Sequence, residues 1–125
     1  MDISNIMDEI QKNYWQNKRV LITGATGLLG GWITKKLISY GSEIHVIQRS
    51  KRPESQFILD NLGAKCHIYN GQVYDEKIIS DIFDNHKIDA VFHTAANADV
   101  NNALQNPIDN FKSSIDSTIF LLENI

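Results

Sequence analysis

Apolar positions change period several times along the chain, and each change marks an element. Ile3, Ile6, Met7, Ile10 and Tyr14 fall at helical spacing, so the first dozen residues predict an amphipathic helix. Arg19 to Thr23 (RVLIT) is a short apolar run that ends in glycines, the pattern of a buried strand. Leu28 to Tyr40 predicts a helix with Leu29, Ile33 and Leu37 on one face and Gly41 as its stop. Glu43 to Gln48 (EIHVIQ) is a second strand, and Pro53 opens a helix through Asn61 that Gly63 ends.

The alternation continues. Ala64 to Tyr69 predicts a third strand, and Asp75 caps a helix over Glu76–Asn85 that turns Ile78, Ile79, Ile82 and Phe83 inward. Asp89 to Thr94 (DAVFHT) is a fourth strand. Asn106-Pro107 starts a last helix, with Ile108, Phe111, Ile115, Ile119 and Leu122 on one stripe. The strands are nearly all apolar rather than alternating, which marks a parallel sheet covered on both faces. Right-handed crossovers give strand order 3-2-1-4. The expected fold class is therefore α/β, a partial Rossmann-type doubly wound parallel sheet of four strands. Residues 1–17 read as helix and lead-in, and 18–125 as the sheet domain, incomplete at its C-terminal end.

Composition narrows the possibilities without redirecting them. At 125 residues with 42% hydrophobic and 22% charged positions, the chain has the make-up of one globular domain. The net charge is -3 and no run of Lys/Arg occurs, which argues against a nucleic-acid partner. No apolar stretch approaches the ~20 residues of a membrane span, and the acidic N-terminus is unlike a signal peptide. The single cysteine, Cys66, reads as a buried inert thiol; together these features predict a cytoplasmic protein.

The candidate chemistry centres on Thr23-Gly24-Ala25-Thr26-Gly27-Leu28-Leu29-Gly30, between the first strand and the first sheet-packing helix. Gly24 lets the chain turn, Gly27 admits a pyrophosphate to the backbone, and Gly30 lets helix and sheet approach. Free N–H groups and a partial positive charge at the helix start suit phosphates. An NAD-preferring site places an acid roughly 20 residues beyond the glycines. This chain has Gln48-Arg49-Ser50-Lys51-Arg52 at that point, without a carboxylate. Arg49 and Arg52 can pair with a 2′-phosphate and Ser50 can donate to it, so NADP(H) is favoured over NAD(H).

These residues resemble the extended short-chain dehydrogenase/reductase family, in its sugar-nucleotide epimerase/dehydratase branch. TGATGLLG has that family's glycine spacing. Asn70-Gly71-Gln72-Val73-Tyr74-Asp75 resembles its Gly-Asp-Val-x-Asp, and Asp89 to Ala96 resembles its D-x-V-F-H-x-A-A. Asn106-Pro107 with Phe111, Thr118, Leu121, Leu122 and Glu123 resembles its last motif helix. The segment Tyr14 to Val20 and the pair Gly31-Trp32 are similar to CDP-glucose 4,6-dehydratases. The arginine-bearing end of strand two is similar to GDP-mannose 4,6-dehydratases.

The resemblance implies pyrophosphate contacts from the backbone at Thr26 to Leu29, adenine contacts near Gln72 and Val73, and ribose or nicotinamide-side contacts from Ala95 and Ala96. It also implies hydride transfer at C4 of a nucleotide-linked hexose in the complete enzyme. Gln72 stands where the family has Asp, and Ser114 and Ser117 where it has Asn and Gly. The family's catalytic Tyr-x-x-x-Lys appears only as Tyr14…Lys18, ahead of strand one and at the wrong end of the fold. His93 reads as a packed, hydrogen-bonded residue, and Asp99, Asp109 and Asp116 form no metal-ligand pattern.

Two readings follow. In one, the chain is the cofactor-binding part of a nucleotide-sugar dehydratase or epimerase. In the other, it is a stand-alone, non-catalytic dinucleotide-binding or redox-sensing module. In either, the open edge of strand four is expected to pair with more of the chain, a partner protein or a second copy.

Overall fold

A computed structural model describes residues 2–49, 56–73, 75–95 and 104–125. Four parallel strands lie in one sheet: β1 (Arg19–Thr23), β2 (Glu43–Gln48), β3 (Cys66–Asn70) and β4 (Ala90–His93), in the order β3-β2-β1-β4. The helices are α1 (Ile3–Trp15), α2 (Leu28–Ser39), α3 (Gln56–Leu59), α4 (Glu76–Asn85) and α5 (Pro107–Asn124). The expected α/β class and strand order are both observed.

Parallel register puts successive rows of side chains on alternate faces. Val20, Ile22, Ile44 and Val46 are fully buried on one face, against Leu37, Tyr40, Phe57 and Leu62. Leu21 and Ile47 face the other way, against Ile79, Ile82 and Leu121. Burial on both faces explains why β1 and β2 are apolar without alternation, His45 of β2 apart. Each such side chain removed from water contributes about 1.5–3 kcal/mol, so the two central strands hold most of the core's stabilisation. Strands β3 and β4 are edges with partly exposed positions, and β4 has no strand beyond it among the described residues.

Three expectations are corrected. The third strand starts at Cys66, because Leu62–Lys65 forms a 3-10 turn and pairing with β2 begins only at Ile44 opposite Cys66. Helix α3 is short: its described part ends at Leu59 and Asn61 takes a left-handed conformation (φ 51°), while Pro53 lies outside the described residues. The face of α2 seated on the sheet is Gly30, Gly31, Thr34 and Leu37, so Leu29 is exposed. Small residues win that face because they let the helix approach closely.

Two apolar stripes stand uncovered among the described residues. On α1, Ile3, Ile6, Met7, Ile10 and Tyr14 are all exposed, and the helix is tied down by polar contacts. Tyr40 Oη donates to Asp8 (2.8 Å), and Lys36 pairs with the same carboxylate at 3.3 Å. On α5, Ser117 and Leu121 are buried while Ile108, Phe111 and Leu122 are exposed. Cys66 is partly buried, its thiol donates to the Leu62 carbonyl, and burial pushes its pKa up to about 11.

Of the buried polar residues Thr23, Thr34, His45, Gln48 and Ser117, His45 is the titratable one. His45 is fully buried in β2, faced by Glu43 on its own strand, His67 and Tyr69 on β3, and His86 after α4. Burial first, then the His67 and His86 imidazoles, push its pKa down to about 4 against the opposing pull of Glu43. An imidazole near 6.5 in the unfolded chain and lower in the fold stabilises the fold only while neutral. That contribution is complete above pH 6.5 and is lost as pH falls toward 4. In urea unfolding the protein is expected to lose about 2 kcal/mol of stability between pH 7 and 5, and less in His45→Phe. A stability that is flat across that range would contradict the burial of a neutral His45.

Candidate functional site

The C-terminal ends of the four parallel strands meet along one edge of the sheet. There β1 runs through a glycine turn into α2. Gly24 has φ 78°, and a Cβ on it would sit 2.7 Å from both the Ala95 nitrogen and Thr94 Oγ1. No other residue fits that conformation and that space together. Gly27 N–H donates to the Gly24 carbonyl at 3.0 Å, and Gly27 caps α2 without a side-chain hydrogen bond. A Cβ on Gly30 would lie 2.0 Å from the Gly24 carbonyl oxygen and 2.7 Å from Thr94 Oγ1. The first turn of α2 therefore sits directly on the loop that precedes it.

This packing aims the helix start at the strand ends. The first intrahelical bond runs from Gly31 N–H to the Gly27 carbonyl at 2.9 Å. The N–H groups of Leu28, Leu29 and Gly30 lie ahead of it and have no carbonyl within the helix to meet. A row of such donors at the positive end of the helix dipole is an anion site. The side chains of Leu28, Leu29 and Trp32 are exposed around it.

Strand β4 closes the other side of the crevice. Thr94 Oγ1 donates to the Thr23 carbonyl (2.6 Å), and the Ala95 N–H donates to Thr23 Oγ1 (3.2 Å). His93 Nδ1 lies 2.6 Å from Thr23 Oγ1, and its Nε2 lies 3.3 Å from Ser117 Oγ on α5. Burial lowers the His93 pKa, which suits the packed, hydrogen-bonded imidazole expected from the sequence. Thr23, Thr94 and Ser117 lie within or beside the motif segments, but the motifs do not show that they bond to one another and to His93. Their role depends on β1 and β4 being neighbours, which only the strand order reveals.

The remaining candidates line the same edge. Arg49 is exposed directly after β2, beside the buried Gln48. Gln72 and Val73 follow β3, half-buried, with the Gln72 carbonyl accepting from Asp75 N–H at 3.0 Å. Asp75 in turn caps α4, accepting from the Lys77 and Ile78 amides. Strand order thus sets Gln72, Arg49, the Gly24–Gly30 turn and Ala95 side by side. Ser50, Lys51, Arg52, Ala96 and Asp99 lie outside the described residues. Tyr14 and Lys18 belong to the opposite edge, where Lys18 Nζ stands 5.1 Å above the Tyr14 ring. Six residues of extended chain from Lys18 to Gly24, about 20 Å at ~3.3 Å each, separate them from the glycine turn.

A parallel sheet of order 3-2-1-4, whose first strand passes through a glycine turn into a helix at the point where strand order reverses, is a Rossmann-type dinucleotide-binding domain. The chain belongs to the NAD dependent epimerase/dehydratase family, whose model matches residues 20–125. It is 30% identical over 118 residues to a CDP-glucose 4,6-dehydratase of Salmonella typhimurium, covering 93% of this chain and 33% of the relative. It is 29% identical to a UDP-glucose 4-epimerase of Yersinia enterocolitica, covering 85% of this chain and 32% of that one.

Among solved structures, the UDP-glucose 4-epimerase of Thermotoga maritima, determined with UDP-glucose, superposes with TM-score 0.73 at 29% identity, over 85% of this chain and 33% of its own. The Bifidobacterium longum UDP-glucose 4-epimerase, determined with NAD+ and UDP, shares the fold with TM-score 0.71 at 24% identity, over 86% of this chain and 33% of its own. The chain spans about a third of the length of these relatives and matches their N-terminal, dinucleotide-binding part.

The contact at Gly30 is testable without any ligand. Gly30→Ala forces the helix start away from the Gly24 carbonyl, and a loss of about 2 kcal/mol is expected in urea unfolding. An unchanged midpoint would mean that α2 can move off the turn freely.

Proposed function

We propose that this chain is the NAD(P)-binding part of a nucleotide-sugar 4,6-dehydratase or epimerase. The observation that carries the reading is the Gly24–Gly30 turn, whose backbone stands where side chains would block both the turn and the helix. That cradle fits a pyrophosphate. Thr26, Leu28 and Leu29 would hold it through backbone amides, with Gly24, Gly27 and Gly30 shaping the turn that presents them. Gln72 and Val73 would border the adenine, and Ala95 and Ala96 the ribose and nicotinamide side. A bound nicotinamide supplies a reversible hydride acceptor for C4 of a nucleotide-linked hexose. In this reading the chain's own residues bind and orient; His93 and Thr23 brace the strand ends by their hydrogen bond.

Support for the substrate class comes from relatives named for CDP-glucose and UDP-glucose chemistry. We further propose a cytoplasmic setting, consistent with a single unpaired thiol. The outer edge of β4 is the proposed place where more of the enzyme, or a second copy, pairs. Among the described residues no helix is long and apolar enough to cross a membrane.

A second reading is a non-catalytic dinucleotide-binding module, which would bind the same cofactor without turnover. The only Tyr-x-x-x-Lys in the chain is Tyr14…Lys18, on the edge of the sheet away from the glycine turn. The two readings agree on binding and differ on turnover by the native protein.

The cofactor proposal is NADP(H) over NAD(H), resting on Arg49, Ser50 and Arg52 and on the missing carboxylate. Calorimetric titration is expected to give NADPH about tenfold tighter binding than NADH, within what one charge-assisted hydrogen bond supplies. Arg49→Glu is expected to erase or reverse that preference. Equal or tighter binding of NADH by the unaltered chain would overturn the NADP(H) assignment.

A further inference from the structure

The edge of the sheet opposite the glycine turn carries a cluster that dinucleotide binding does not use. Glu43 opens β2, and His45 lies two residues on, so both face the same side of the sheet. Parallel register sets His67 of β3 directly beside His45. Glu43 Oε1 lies 3.5 Å from His45 Nε2 and 3.3 Å from His67 Nε2, and the three atoms fall within 4.8 Å of one another. The other carboxylate oxygen, Oε2, is held by Arg19 at 2.8 Å, which leaves Oε1 turned to the imidazoles.

His45 makes the cluster more than a surface coincidence. Its side chain is fully buried, and its Nε2 has no hydrogen-bond partner. Its other nitrogen, Nδ1, lies 3.0 Å from Tyr69 Oη. The neutral ring carries its proton on one of the two nitrogens; with it on Nδ1, donated to that hydroxyl, Nε2 is an open acceptor at the cluster. A buried polar atom without a hydrogen-bond partner is an expensive arrangement in a core. A metal-binding histidine fixed by an outer hydrogen bond has this same arrangement.

We propose that Glu43, His45 and His67 bind a divalent cation of the zinc type. Two imidazoles and one carboxylate are donors for a borderline metal, whereas calcium and magnesium favour oxygen alone. Ligand bonds of about 2.0–2.1 Å in a tetrahedron put neighbouring ligand atoms about 3.4 Å apart. The two separations from Glu43 Oε1 already match. The His45 and His67 rings stack at 13°, so His67, which is exposed, must rotate for both nitrogens to converge. His86, whose ring stands 4.5 Å from that of His45, lies beside the cluster without supplying one of its atoms, so water would fill the fourth position. The ion would join β2 and edge strand β3, bracing the fold away from the dinucleotide edge.

The test uses the untagged chain, freed of metal by chelation and then titrated with zinc chloride by calorimetry and cobalt chloride by visible absorption. One equivalent of Zn2+ is expected to bind with a Kd of about 10 μM or tighter and to raise Tm. Glu43→Gln and His67→Ala alter partly exposed side chains and are expected to fold as judged by circular dichroism. Each should weaken zinc at least tenfold, and His86→Ala should weaken it less. NADPH affinity is expected to stay unchanged in all three, which separates this site from the dinucleotide site. Absence of saturable zinc binding would overturn the proposal. So would binding that persists undiminished in both Glu43→Gln and His67→Ala.

Discussion

The start of α2 rests on the Gly24 carbonyl with no space for a methyl group at position 30, and much of the architecture depends on that approach. It brings the helix axis over the end of β1 and so directs the free amides of the first turn toward the strand ends. It also needs β4 beside β1, because Thr94 packs under the same turn and donates to the Thr23 carbonyl at 2.6 Å. The crevice is thus fixed by backbone and threonine hydroxyl contacts on three elements. Leu28, Leu29 and Arg49 are exposed around it.

The two edges of the sheet have opposite chemistry. At the C-terminal edge the central turn is glycine, alanine and threonine, and groups that offer hydrogen bonds are mostly backbone. At the N-terminal edge the strands begin in charged and titratable residues. Arg19 pairs with Glu43 at 2.8 Å, its backbone N–H meets Asp89 at 2.8 Å, and His45 stacks on His67 with the His86 ring tilted against it. Between these edges lie the fully buried rows of β1 and β2. A core of that kind holds both edges rigidly apart, so chemistry at one can change with little effect on the other.

Much of this was legible in the chain itself. Apolar runs at Arg19–Thr23 and Glu43–Gln48 and the capped helix at Glu76–Asn85 match the observed elements residue for residue. The glycine turn was legible because few other residues tolerate a positive φ beside a helix start. Periodicity failed where tertiary contact decides. It placed Leu29 on the packing face of α2, yet the glycines beside it are the positions that touch the sheet. It marked a stripe on α5 without saying that Ser117 and Leu121, offset from it, are the buried positions. His45 and His67 are distant in sequence, and only the register of β2 on β3 brings them together. Alternate placement of Glu43 and His45 on one strand was the available signal, but it says nothing of the partner strand.

The central claim is that the Gly24–Gly30 turn holds a dinucleotide pyrophosphate. The most direct measurement is a titration of the 15N-labelled chain with NADPH, followed by amide resonances. The account predicts saturable shifts concentrated at Gly24 to Gly30, with smaller ones at Arg49, Gln72 and Ala95, and none at Glu43 or His67. A folded chain whose Gly24–Gly30 amides do not move, or whose shifts cluster at the opposite edge of the sheet, would contradict it.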